Sequence, residues 1–127
     1  ELALLEKANR GRMNVEDLML YCLSVSPNVE EKFPFPKFKA ARDVLAFYID
    51  GHMFCYFNIN DLSCITVKHE KEEIPELIEH YPCLGHPYNC NPKYWIGIDA
   101  TIADKALIEK LVSDSFNIVK SKTHKPR

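Results

Sequence analysis

The chain has 127 residues, 46% hydrophobic and 27% charged, and its 16 lysines and arginines against 18 aspartates and glutamates give a formal net charge of -2. That size and balance fit one globular domain around a single core and leave no room for a second. A pI near 6.2 removes any global attraction to nucleic acid or acidic membranes, so binding of that kind requires a local patch. The sequence contains neither a run of eighteen apolar residues nor a basic leader followed by an apolar stretch, which predicts a cytoplasmic protein without membrane contact.

Residues 1–12 precede a plausible start at Met13 and are read as an N-terminal extension, a cloning remnant or a truncated helix, with Leu2, Leu4, Leu5 and Ala8 giving a weak helical pattern. The domain proper is expected over 13–122, followed by a basic tail at 123–127. Val15, Leu18, Met19 and Cys22 recur at helical spacing, with Asn14 as N-cap and Asp17 in the first turn, and Ser26-Pro27 ends that helix. Between Glu30 and Arg42, prolines at 34 and 36 alternate with Phe33, Phe35 and Phe38. This reads as an edge strand or irregular crossing anchored to the core by its aromatic rings.

Val44–Ile49 and Met53–Ile59 flank Asp50-Gly51, a pair suited to a two-residue hairpin turn, and Ser63–Lys68 continues the meander as a third strand. A second helix is predicted over Glu70–Tyr81 from Ile74, Leu77, Ile78 and Tyr81, with Pro75 tolerated in its first turn. After Tyr81-Pro82, a short strand near Leu84–Asn89 pairs with a strand over Lys93–Ile98, in which Trp95 is expected to pack into the core beside a half-exposed Tyr94. A long helix follows from about Ile102 to Ser121. Its N-cap is Thr101, and its inward stripe is Leu107, Ile108, Leu111, Val112, Ser115, Ile118 and Val119. The order of helix, three strands, helix, two strands, helix predicts an α+β two-layer sandwich, mainly antiparallel, with helices on one face of the sheet.

Chemistry-bearing patterns are sparse. Five cysteines without a CxxC pair read as reduced thiols, with Cys22, Cys55 and Cys64 acting as small hydrophobes in apolar segments. His80, Cys83, His86 and Cys90 carry zinc-ligand chemistry, yet their spacing is not that of a finger, and no metal is expected. A nucleophile elbow, a phosphate-cradling glycine loop and an HExxH pair are all lacking, so neither catalytic residues nor a cofactor are assigned. His69-Glu70 is the one acid–base pair at an element junction. Cations able to meet phosphates stand at Lys68, Lys71 and Lys93, with Tyr94 beside the last, and at Lys120, Lys122, Lys125 and Arg127 in the C-terminal basic tail.

Three segments carry a resemblance: Met13-Asn14-Val15-Glu16-Asp17-Leu18, Pro87-Tyr88-Asn89-Cys90-Asn91-Pro92-Lys93-Tyr94-Trp95 and Asp114-Ser115-Phe116-Asn117-Ile118-Val119. From about Met13 to about Lys122 the chain resembles the MmcQ/YjbR family of small bacterial proteins. Asn91, Lys93 and Trp95 correspond to that family's Asn-Lys-X-X-Trp-like pattern with one residue fewer, and Ser115, Phe116 and Val119 to its closing helix. The chain departs at Asn89-Cys90 and Ala100-Thr101. The resemblance implies a non-catalytic, double-wing DNA-binding protein that grips the phosphate backbone through lysines on β-hairpin wings. The alternative it implies is a protein-interaction or homodimerisation module, which the Phe33, Phe35 and Phe38 segment would serve.

Overall fold

The computed structural model describes residues 12–87 and 90–123. The segment 1–11, the pair Tyr88-Asn89 and the cations Lys125 and Arg127 lie outside the described residues. Among the described residues, three helices, α1 (Val15–Ser24), α2 (Ile74–His80) and α3 (Lys105–Thr123), accompany six strands. The strands are β1 (Glu30–Lys32), β2 (Val44–Ile49), β3 (His52–Asn58), β4 (Asp61–Lys68), β5 (Leu84–Gly85) and β6 (Trp95–Ile98). They form one antiparallel sheet in the order β1-β2-β3-β4-β6-β5. The α+β architecture is as the sequence predicts, with β1 as one strand more than its pattern specified.

Local chemistry accounts for most of these elements. Asn14 caps α1 by accepting the Asp17 amide at 2.7 Å. Asp50 and Gly51 both take positive φ, 53° and 81°, as a two-residue turn between right-twisted strands requires. Asp99, rather than Thr101, organises the approach to α3: its carboxylate accepts both the amide and the hydroxyl of Thr101, and its carbonyl accepts the Ala103 amide. That turn absorbs Thr101 and Ile102, so α3 starts at Lys105 and Ile102 is exposed. The second helix is shorter than predicted because Glu70–Glu73 closes as a turn first, with the Glu73 amide on the Glu70 carbonyl.

The two-residue period of the strands sorts side chains between two faces. Leu45, Phe47, Phe57, Ile65, Val67, Ile96 and Ile98 are buried beneath the helices, where they meet Leu18, Ile108, Leu111 and Val112. Phe47 stacks on Phe57 at 5.9 Å, and Phe54 meets Phe116 of α3 edge-on at 5.4 Å. In the β2–β3 pairing Phe47 faces Cys55 and Tyr48 faces Met53, which leaves Phe54 as an extra residue in a bulge. The bulge turns Phe54 inward. The charged, exposed β1 and the two-residue β5 are the sheet's edges, a form that discourages edge-to-edge pairing.

None of the described helices lies on the opposite face. It presents Val44, Ala46 and Tyr48 of β2, Tyr56 of β3, Cys64, Thr66 and Lys68 of β4, and Trp95 and Gly97 of β6, following directly from the cross-strand registers. Two sequence expectations change here. Phe33, Phe35 and Phe38 are exposed rather than anchored in the core, because the Phe33–Ala41 crossing runs outside the helical layer. Trp95 is half-buried on the open face, because its register opposite Lys68 sends Ile96 inward instead.

Candidate functional site

At one end of the sheet, β4 finishes at Lys68 and β6 begins at Trp95, paired with it. The Lys68 ammonium lies 5.8 Å from the centroid of the Trp95 ring, a cation held over an aromatic face. Partial burial, and then the charge of Lys122, hold the Lys68 ammonium below the usual lysine range, with Glu70 opposing the shift. Lys122 belongs to the last turn of α3. It sits seven residues beyond Ser115, hence on the same helix face, and Ser115 is bonded to the Lys68 amide.

Lys93 reaches this corner through a turn. Asn91 accepts the Lys93 amide on its side chain at 3.0 Å and the Tyr94 amide on its carbonyl at 3.1 Å. Asparagine first and proline second are the preferred occupants of such a turn. The Tyr94 carbonyl then accepts the His69 amide at 2.9 Å, which ties the turn to the chain leaving β4. Lys93 and Tyr94 are both exposed there.

The remaining candidates are distributed differently. Lys71 is exposed among Glu70, Glu72 and Glu73, whose carboxylates offset its charge. Lys120 shares the last turn of α3 with Lys122. Of the described candidate lysines, Lys93 lies in the connection between the antiparallel β5 and β6, and none lies at the β2–β3 or β3–β4 tip. The β2–β3 tip is Asp50-Gly51, and the β3–β4 turn, Ile59-Asn60, leads into Asp61, with the Asp43 carboxylate accepting the Asn60 side-chain amide at 3.0 Å. The Asp61 carboxyl is held below the usual range by the Ser63 amide and hydroxyl. Lys68 thus stands at a strand end, Lys122 at a helix end and Lys93 in the β5–β6 connection.

A groove opens on the sheet's other face beside this corner, with a volume of about 640 Å³. Phe35 and Phe38 border it, and Tyr56, Cys64, Thr66 and Trp95 are among its lining residues. Cys64 is therefore half-buried in a groove rather than a core residue, and its sulfur lies 3.7 Å from the Thr66 hydroxyl. Gly97 makes room for it, since a Cβ there would stand 3.0 Å from the Cys64 sulfur. Burial, followed by Cys90, pushes the Tyr56 phenol upward, and burial pushes up the Cys90 thiol. Sequence reasoning missed this groove. The signal available to it was the alternation of Cys64, Thr66 and Lys68 with Ile65 and Val67.

Two other sequence candidates resolve plainly. His69 is buried and pairs through Nε2 with Glu73 at 2.7 Å, not with Glu70, because the turn at Glu70–Glu73 carries Glu73 back to it. Among the described residues, no group of three or more histidines, cysteines, aspartates or glutamates converges as a metal site. His80 lies edge-on to Tyr81 at 4.7 Å. All five cysteines are unpaired thiols. Among the described residues, no helix is long and apolar enough to cross a membrane.

Two solved structures share this architecture. Deinococcus radiodurans protein DR2400, with a DUF419 domain, has a TM-score of 0.75 at 24% identity, covering 90% of this chain and 83% of that one. A Pseudomonas syringae protein has a TM-score of 0.68 at 18% identity, covering 84% of this chain and 98% of its own. At these identities the likeness is one of fold. No curated protein matches the sequence. The family model described as YjbR matches residues 25–118, a span that takes in the whole sheet, the Lys68–Trp95 corner and most of α3. The chain belongs to the YjbR family.

Proposed function

We propose that this protein is a DNA-binding domain, acting by binding rather than catalysis, that grips the phosphate backbone at the corner formed by Lys68, Lys93 and Lys122. The observation that carries this reading is geometric: the Lys68 ammonium stands over Trp95 at the end of β4, and Lys122 lies on the α3 face of Ser115, whose hydroxyl is bonded to the Lys68 amide. Like charges kept close are stabilised by a shared anion, and a phosphate backbone supplies anions at regular spacing. Trp95 fixes the Lys68 stem, and the docked Asn91–Tyr94 turn fixes Lys93. The acidic hairpin tips argue for a footprint on this corner alone, hence a short one.

A fluorescein-labelled duplex titrated with the full chain at low ionic strength tests the reading by anisotropy. Saturable binding that weakens steadily with added salt is the expected result, because each phosphate neutralised releases counterions. A flat anisotropy trace at low salt overturns it.

A further inference from the structure

The groove on the open sheet face shares only Trp95 with the DNA reading. Its volume of about 640 Å³ falls within the range of roughly 300–1,000 Å³ typical of small-molecule sites. It is also lined as such sites are, mostly by apolar and aromatic groups with a few polar atoms. Tyr56 and Trp95 form an angled ring pair with centroids 5.9 Å apart. Phe35 and Phe38 supply a second, T-shaped pair at 6.5 Å on the border. The Tyr56 and Thr66 hydroxyls provide polar atoms within it.

The described residues that line it carry no charge, and Lys68, which is outside the lining, holds its ammonium 5.8 Å from the centroid of the Trp95 ring. We propose that this groove binds a planar aromatic monocarboxylate, with its ring against Tyr56 and Trp95 and its carboxylate on Lys68. Ring faces and edges select another ring over an aliphatic chain of equal volume, because their quadrupoles add to the area buried. A cation at the end of an apolar slot selects an anion over a neutral isostere. This site shares Lys68 and Trp95 with the proposed DNA corner, and its test contains no nucleic acid, so the two readings fail separately.

Trp95 is the only tryptophan, so the full chain labelled with ¹⁵N gives one indole N–H resonance, located in the groove. Cinnamate, its neutral isostere cinnamamide and the aliphatic nonanoate serve as probes. Cinnamate should move that resonance saturably and bind about tenfold more tightly than cinnamamide, as a charge-assisted contact implies. Lys68→Gln should collapse this acid-over-amide preference toward unity. Phe38→Ala, at an exposed border position, should weaken both aromatic probes while leaving the fold intact. The proposal is overturned if cinnamate causes no saturable shift, if acid and amide bind equally, or if nonanoate binds as tightly as cinnamate. It is equally overturned if the resonance moves with protein concentration alone, which would mean that a second copy of the chain covers the groove.

Discussion

Ser115 of α3 and Lys68 of β4 are joined by a hydrogen bond in which the serine hydroxyl accepts the lysine amide at 2.8 Å. The same hydroxyl donates to the carbonyl of Phe54. Cys55 faces Val67 and Tyr56 faces Thr66 in the β3–β4 ladder, so the next pair in that register would be Phe54 with Lys68. The Ser115 hydroxyl stands between these two backbone groups, just where Phe54 bulges away from β2. A helix side chain thereby completes a sheet ladder and fixes the strand end from which the Lys68 side chain projects.

Ser115→Ala should therefore cost about 1–3 kcal/mol, the range for leaving buried backbone donors and acceptors without partners. Urea unfolding followed by circular dichroism measures it. A loss below about 0.5 kcal/mol would mean that Phe54 and Lys68 close the ladder directly.

At the β2–β3 tip, Gly51 has φ of 81° and open space where a Cβ would sit. The cost of Gly51→Ala is then conformational only, about 1 kcal/mol for a left-handed alanine. The same unfolding experiment should give that loss without a change in the denaturant slope, since the buried surface is unaltered.

The Tyr56 phenol is raised in the folded state, chiefly by burial and then by Cys90, with Cys64 adding and Thr66 opposing. A folded value above the unfolded one means that the neutral phenol is favoured by folding. Its contribution is complete below the ordinary tyrosine range near 10 and is lost as pH climbs from there through the folded value. The buried Cys55 thiol, also raised, acts with the same sign. Stability measured by urea midpoint should thus fall in alkali, and Tyr56→Phe should fall less steeply than the parent chain above about pH 10.

What the sequence disclosed was local. Asn14 and Asp17 announce the start of α1, Asp50-Gly51 the hairpin, and the spacing of Ile108, Leu111, Val112 and Ser115 the inward face of α3. Those features depend on neighbours within a few residues. The pairing of β4 with β6 depends on residues some thirty positions apart, and it alone decides that Trp95 lies beside Lys68 rather than in the core. The groove has the same origin, since Tyr56, Cys64 and Trp95 come from three strands whose registers no local pattern encodes. Thr101 misled for a different reason: Asp99, two residues earlier, captured its hydroxyl and ended its use as a cap.

The corner at Lys68, Lys93 and Lys122 is tested most directly by the salt dependence of duplex binding. Three phosphate contacts predict a log-log slope of about -2.7, from roughly -0.9 per contact. Replacing all three lysines with glutamine, while the unfolding midpoint stays unchanged, should bring the slope close to zero. A slope that survives the triple substitution would contradict the account and assign DNA to another surface.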